Sequence, residues 1–453
     1  MTTSMFRIRD YRHLFGAQLV ALAGNGLATV ALGLLAFTLA GDKAAAVLGT
    51  ALTIKMVAYV LVAPIAGAYA GRFNRRHVLV VLDLARAAVV IALPFADQIW
   101  HVYLLVALMQ SASAAFTPTF QATLPDILPN EDFYTRALSY SQLASTLETL
   151  LSPLLAAILI SYINFHWLFV GTAMGFLASA SLVVSSRIPD AMASGSYSIA
   201  DRIFSGVRTF AATPRLRGLM GLNLTVAAIG SIVMVNTVNL VQQHLGRPEA
   251  DVAWLLTANG AGVLVVALFM PRLLRRYTDR TVMTTGATIM TGAGIAVTAF
   301  TFGTSGSWQW PTLIAIWTVI GLGSGAVLTP AGNVIRRSSA PQDRPALFSA
   351  QFSLSHACWL LAYPIAGWVA TEVGYTITWA ILAVLATIGM TAARLCWPAH
   401  DPEQVEHRHP ADIADPAHIK DATQTADGYV HTHQLVIDQL HRRWPTKSRQ
   451  AIA

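Results

Sequence analysis

The stretch Gly67-Ala68-Tyr69-Ala70-Gly71-Arg72-Phe73-Asn74-Arg75-Arg76 returns 200 residues later as Ala267-Leu268-Phe269-Met270-Pro271-Arg272-Leu273-Leu274-Arg275-Arg276. Each copy closes a long apolar run, and each carries the same spacing of three arginines. Other punctuation repeats with it: Thr117-Pro118 recurs as Thr329-Pro330, Pro129 as Pro341 and Pro153 as Pro364. Differences in loop length account for the drift in offset between these pairs. Two halves with one internal punctuation are what a transporter built from two related bundles requires.

Composition points the same way. Residues AVILMFWYC make up 55% of the 453-residue chain, and DEKR only 12%, about half the charged share of a soluble domain. The mean hydropathy is +0.53. So few charges cannot cover the surface of a soluble fold of this size, whereas lipid-facing positions can stay apolar. A soluble enzyme, a nucleic-acid binder, a disordered chain and a disulfide framework are therefore poor readings, and Cys358 and Cys396 both sit in or at the end of apolar runs. The expected fold is an all-α membrane protein with twelve transmembrane helices in two pseudo-symmetric six-helix bundles. The apolar runs are 14–40, 44–70, 78–96, 102–123, 138–160 and 166–186, then 216–241, 250–271, 281–302, 311–335, 346–370 and 375–396. The first is too long for a cleaved signal peptide and is expected to stay in the membrane.

Lys and Arg set the orientation. With the N-terminus inside, only Lys43 and Arg247 fall in outside loops, while Lys55 and Arg86 lie within spans. Both termini are thus expected in the cytoplasm of a cell whose inner membrane holds the protein. The net charge of +7 follows from that asymmetry and calls for no nucleic acid. The expected organisation is an N-terminal bundle over residues 1–190, a cytoplasmic linker over 191–214, a C-terminal bundle over 215–398 and a flexible cytoplasmic tail over 399–453. In the linker, Ile199, Ile203, Val207 and Phe210 fall at helical spacing beside Arg202 and Arg208, the pattern of an amphipathic surface helix.

These residues resemble the major facilitator superfamily over roughly residues 5–398. Its loop motif after the second helix reads G-x3-D-R-x-G-R-R. Gly67, Arg72, Arg75 and Arg76 match it, while Gly71 stands where Asp is expected and Asn74 where Gly is expected. The antiporter motif G-P-x2-G-G of the fifth helix stands here as Ser152-Pro153-x2-Ala156-Ala157, and the fourth-helix R-x2-Q-G motif keeps Gln110 but has Ala107 at the Arg position. Phe6-Arg7…Tyr11-Arg12, Asp83-x2-Arg86 and Thr117-Pro118…Leu124-Pro125…Leu128-Pro129 are similar to the branch of drug–proton antiporters and enterobactin-type exporters. The resemblance implies alternating access around a central cavity, with helices 1, 4, 7 and 10 lining it and helices 2, 5, 8 and 11 bordering the contact between halves.

Ionisable groups inside a span are costly unless paired or solvated, so each is a functional candidate. Lys55, Glu148 and His356 lie near the middle of spans 2, 5 and 11 and are the proton-coupling candidates; a fixed Glu148–Lys55 brace and a packed histidine are the alternatives. Gly67, Arg72, Arg75, Arg76, Asp83, Arg86, Arg272, Arg275 and Arg276 are the gate candidates, since guanidinium groups bind helix-end carbonyls and carboxylates across a closing interface. For Asp83 and Arg86, three residues apart on one helical face, tethering the nearby basic loop is the alternative. Asn25, Gln110, Asn236, Asn239, Trp317 and Ser324 are the cavity candidates, with bonds between helices as the alternative for each Asn. Gly24-Asn25-Gly26 would let the backbone approach a ligand or another helix.

In the tail, His431, His433, Asp438 and His441 are the metal candidates, and His407-x-His409 repeats the alternation. Imidazole with carboxylate suits nickel, zinc or cobalt, and some nickel-resistance permeases of the resembled superfamily carry His-rich tails. A solvated tail with incidental histidines is the alternative. The expected function is secondary transport, most simply proton-coupled export of a small drug- or siderophore-like solute. A divalent-metal exporter collecting its cargo on the tail and a non-transporting membrane sensor are the rivals. No nucleotide-binding P-loop pattern is present. No enzymatic activity and no cofactor are expected; the expected partners are substrate, protons and the bilayer, with a divalent metal at the tail as a candidate, and the expected state is a monomer.

Overall fold

The computed structural model describes residues 5–444 except 70–72, 189–198, 302–305, 340–343 and parts of 129–161 and 402–443. Apolar runs with few charges become helices because a lipid environment leaves backbone groups no partner outside the segment. The first half contains α1 (Arg9–Ala40), α2 (Ala44–Tyr69), α3 (Arg75–Ala92) and α4 (Ile99–Ile127). It continues with α5, helical at each described position of 133–160, and α6 (His166–Val184). A linker helix, α7 (Ile199–Ala212), buries Phe210 and leaves Val207 exposed. The second half contains α8 (Pro214–Ser231, continued to His244), α9 (Glu249–Arg276), α10 (Asp279–Phe300), α11 (Gln309–Leu328), the short α12 (Ala331–Arg337), α13 (Arg344–Pro364, continued to Glu372) and α14 (Tyr375–Cys396). Among the described residues, 9 stretches are long and apolar enough to cross a membrane, and the first of them, Arg9–Ala63, holds two helices. The helical stretches 133–160 and 344–372 complete the twelve spans.

Each bundle is tied the same way. In the first, the Thr172 hydroxyl donates to the Gly24 carbonyl at 2.9 Å, and a Cβ on Gly24 would lie 3.2 Å from the Thr172 carbonyl oxygen. In the second, Thr225 donates to the Ala386 carbonyl at 3.0 Å, and a Cβ on Gly221 would lie 2.4 Å from the Gly389 carbonyl oxygen. Spans 1 and 6, and their counterparts 7 and 12, approach through small residues because lipid supplies no hydrophobic force between helices, and close backbone contact must supply the attraction.

The arginine repeat does not survive as a structural repeat. Arg75 and Arg76 open α3, because the Asn74 side chain caps that helix by accepting from the His77 amide at 3.1 Å. Arg275 and Arg276 close α9, because the equivalent cap comes later, where Thr278 accepts from the Thr281 amide at 3.2 Å. Like motifs therefore sit on opposite sides of the bend between helices. Cations suit the second position, at a helix C-terminus, and not the first.

The tail, expected to be flexible, instead carries a three-stranded antiparallel sheet in the order β1-β3-β2. β1 is Val405–His409, β2 Thr423–Thr425 and β3 Gly428–His433. In the register between β1 and β3, His407 stands opposite His431 and Val405 opposite His433.

Candidate functional site

The proton-coupling candidates come together where α2 meets α13. Lys55 and Glu148 are each other's charged neighbour, and Lys55 is also a charged neighbour of His356. Tyr59, one turn beyond Lys55, joins them. Its ring centroid is 4.9 Å from that of His356, edge to face, and 5.6 Å from the Lys55 ammonium. Phe352 closes the aromatic group at 5.4 Å from Tyr59 and 4.1 Å from His356. The His356 Nδ1 turns back to the Phe352 carbonyl one turn earlier at 2.5 Å. A carbonyl only accepts, so Nδ1 carries the proton and Nε2 faces away from that bond. Tyr59 and Phe352 carry no charge, and their part in the group follows from packing between halves.

Gly26 sits against the same region. A Cβ there would fall 1.7 Å from the Ser152 hydroxyl and 3.5 Å from Glu148 Cγ. The Gly24-Asn25-Gly26 segment is thus a place where other helices come close, with Thr172 on one glycine and Ser152 on the other.

The cavity candidates divide into two sets. Asn236 donates to the Ala366 carbonyl at 2.7 Å and accepts from Trp379 Nε1 at 3.1 Å. Ala366 lies in the wide turn Ile365–Val369, which loosens the regular helix ladder, and Asn236 supplies its carbonyl with a donor. Trp317 is fully buried and donates to the Thr237 hydroxyl at 3.1 Å. Ser324 points its hydroxyl to the Met290 sulfur at 3.6 Å. These three cavity candidates make bonds between helices of the second half. Asn25 Oδ1 and Gln110 Oε1 are buried with no partner among the described residues, as are Ser113 Oγ, Ser152 Oγ and Gln351 Oε1. A buried acceptor without a partner costs about 1–3 kcal/mol, so these atoms mark where water or a ligand is expected. Ser113 and Gln351 gave no signal in the sequence beyond being polar within a span.

The described gate candidates take up separate positions in the two halves. Arg72 lies outside the described residues, and Gly67 is in the last turns of α2. Arg75 is buried, and Arg76 donates to the Val184 carbonyl at the end of α6, within its own half. Arg272, Arg275 and Arg276 are exposed, and the Arg272 guanidinium lies 5.6 Å from the Phe269 ring of its own helix. Asp83 and Arg86 form a buried ion pair inside the first bundle. Ser179 donates to Asp83 Oδ2 at 2.7 Å, and the Arg86 guanidinium lies between the rings of Phe116 and Phe176, at 4.3 and 4.4 Å. The pair binds α3 to α4 and α6.

The halves meet at the end that carries Asp42. Gln243 donates to Asp42 at 2.8 Å, Asn239 to the Gly41 carbonyl at 3.4 Å, and Trp368 to the Thr50 hydroxyl at 2.8 Å. Asn239 is thereby a residue of this contact. Beneath these bonds, a Cβ on Gly49 would fall 2.8 Å from Gly367 Cα and 3.0 Å from the Tyr363 carbonyl oxygen. Gly49→Val should therefore keep this end from closing. The expected result is faster thiol labelling of Gln243→Cys when Gly49→Val is present than when it is absent; equal labelling would show that the close approach does not govern closure.

In the tail, the ligand nitrogens of His407, His409, His431 and His441 all lie within 4.8 Å of one another. Asp438 lies outside the described residues, and His433 meets the group edge to face, its ring centroid 4.7 Å from that of His407. Strand pairing adds His407 and His409 to the set expected from residues 431–441. Burial, above all, pushes the His407 imidazole down to about 3 and holds it neutral.

Comparison with known proteins agrees with this architecture. The transporter YfiS of Bacillus subtilis, described only as an uncharacterized MFS-type transporter, is 25% identical over 267 residues, 54% of this chain and 62% of its own length. The chain thus spans under two thirds of that relative. The multidrug efflux pump Tap of Mycolicibacterium fortuitum is 26% identical over 399 residues, 84% of this chain and 94% of its own. The crystal structure of a mutant of the nucleoside transporter NupG superposes with a TM-score of 0.65 over 86% of this chain and 100% of that one at 14% identity, a likeness of fold. The sequence profile of the Major Facilitator Superfamily matches residues 14–198 and 218–437. With twelve spans in two related bundles and this profile over most of its length, the chain belongs to the Major Facilitator Superfamily of membrane transporters.

Proposed function

We propose that this transporter exports a small, largely apolar organic solute in exchange for protons, and that Glu148 carries the proton. The observation that carries this reading is the electrostatic influence of Lys55 and Glu148 on one another at mid-span, beside Tyr59 and His356. Ionised Glu148 is attracted by the Lys55 ammonium. Protonated Glu148 is not, and the second and fifth spans can then separate. A carboxylate that alternates between those conditions links proton movement to the opening of one end. The unpartnered acceptors Asn25, Gln110 and Gln351, set among apolar side chains, suit a solute with few polar groups. Similarity to a protein named a multidrug efflux pump supports the substrate class.

The excess of Lys and Arg in alternate loops supports both termini in the cytoplasm, which puts the Asp42 end outside. Lys55 at mid-span repels a cationic cargo, and the tail histidines lie after the last span, so a divalent metal is not the transported species. A monomer holds every group the reading needs.

Proton release on adding substrate to purified protein, screened across drugs, siderophores and metal salts, tests the reading. Organic cargo should release protons; release by metal salts alone would replace solute export with metal export, and none by any class would leave a sensor. The pairing has its own test. Lys55→Met leaves Glu148 buried without its partner and should lower expression and activity together. Adding Glu148→Gln should restore folding, because losing both charges of a buried pair costs less than losing one. Additive damage in the double variant would show that the two charges do not support each other.

A further inference from the structure

The tail holds a site that the transport reading neither uses nor needs. Side chains two residues apart on a strand share a face, as do residues directly opposite across an antiparallel pair. His407 and His409 on β1 thus face the same way as His431 on β3, opposite His407. His441 reaches them from the chain that follows. The Nε2 atom of His407 lies 3.0 Å from that of His409, 3.1 Å from that of His431 and 2.9 Å from that of His441. The Nε2 atoms of His409 and His441 are 3.3 Å apart.

Hydrogen bonds among the rings cannot account for this. The Nδ1 of His407 lies 3.0 Å from the Val405 carbonyl oxygen. The carbonyl can only accept, so Nδ1 carries the hydrogen and the Nε2 of the neutral ring is a bare lone pair. One lone pair accepts one hydrogen, yet three other nitrogens surround it. A cation at the centre satisfies all four. A tetrahedral site with metal–nitrogen bonds of about 2.0–2.1 Å sets its ligands roughly 3.3 Å apart, close to the separations here. The ring N–H donated to a backbone carbonyl is the usual outer partner of a metal-bound histidine.

The sheet itself gives a second, independent reason. Three strands of 5, 3 and 6 residues, with Leu435 and Ile437 as nearby buried apolar residues, bury little for so small a unit. Domains below about 40 residues generally need a metal, a disulfide or a partner to hold. Among the described residues both cysteines are free and lie before the tail.

We propose that His407, His409, His431 and His441 bind one late first-row divalent cation, with zinc, cobalt and nickel as the class, and that this ion closes the tail into a folded unit. Four imidazoles suit these metals and not magnesium or calcium, which take oxygen ligands. A set of four protein ligands is the closed arrangement of a structural site, unlike the open one of a catalytic site. Closure has a consequence for the bundle. Trp444 follows His441 by one turn's length of chain, and its ring lies 4.9 Å from the guanidinium of Arg215 in the first turn of α8. Asp401 reaches the same place, 3.9 Å from Arg215 and 3.7 Å from Arg337, and accepts from Trp397 Nε1 at 3.0 Å. Metal at His441 therefore fixes Trp444 where span 7 begins and span 10 ends.

The test uses the full-length protein, purified without a polyhistidine tag, stripped with chelator and titrated with Zn²⁺, Co²⁺ or Ni²⁺ alone. One ion per chain is expected, with the visible bands of four-coordinate, nitrogen-bound Co²⁺. His407→Ala and His441→Ala should each weaken binding by about 100-fold or more, while His400→Ala, exposed and outside the group, should not. Metal should also slow proteolysis between residues 400 and 444 in the wild type and not in His407→Ala. The Co²⁺ spectrum is read on the wild type, so it stands even where a variant tail fails to fold. No bound ion, an octahedral Co²⁺ spectrum, or wild-type affinity in both His407→Ala and His441→Ala would overturn the proposal.

Discussion

Glu148→Gln is expected to reduce proton-driven efflux to the level of empty vesicles while leaving substrate binding and substrate exchange in place. Gln has the shape of the protonated carboxyl and cannot release a proton. A transporter locked in that form can still alternate with solute but cannot draw on a proton gradient. The side chain sits beside Lys55, and its Cγ is 3.5 Å from where a Cβ on Gly26 would be, so an isosteric change disturbs little packing. The measurement is paired: efflux driven by an imposed pH gradient, and counterflow without one. Wild-type gradient-driven efflux in the variant would remove Glu148 from the coupling path. Loss of counterflow as well would reassign it to binding or structure.

Arg86→Met should produce the largest loss of stability among single changes at the ionisable spans. Asp83 would remain fully buried with Ser179 as its surviving partner, and breaking a buried pair by removing one member costs about 3–5 kcal/mol. The guanidinium also sits against Phe116 and Phe176, but Met replaces much of that contact. Adding Asp83→Asn removes the stranded charge and should recover most of the loss. Thermal unfolding of the wild type, Arg86→Met and the double variant in detergent gives the comparison. If the double variant melts no higher than Arg86→Met, the guanidinium stabilises the bundle through the two rings and not through Asp83. Because the pair lies within one bundle, any double variant that folds should keep its proton coupling.

Much of the transporter was legible from the residues. Lys55, Glu148 and His356 were marked by the cost of charge in hydrocarbon, and they do gather on one contact. Tyr59 was not marked, since an aromatic residue in a span is ordinary until packing puts it between a lysine and a histidine. Arg86 is a gate or loop-tether candidate from its spacing to Asp83 alone. Its surroundings come from α4 and α6, which spacing along one helix cannot place. Asn236 and Trp317 are cavity candidates by their place on the spans the resemblance puts around the cavity, while their partners Ala366, Trp379 and Thr237 depend on how helices rotate about their axes.

The sequence by itself determined that the chain spans a membrane twelve times in two related halves, because apolar length, charge scarcity and repeated punctuation are local properties that lipid reads directly. Only the tertiary structure decided which polar groups meet. Arg75 and Arg275 share a motif, but the cap at Asn74 opens one helix while the cap at Thr278 leaves the other arginine at a helix end. His407 and His431 are far apart along the chain, and it is the antiparallel register of β1 and β3 that sets them face to face. Spacing along a chain fixes which residues share a face. Contact between faces is a matter of helix rotation and strand register, and these are settled by the whole packed molecule.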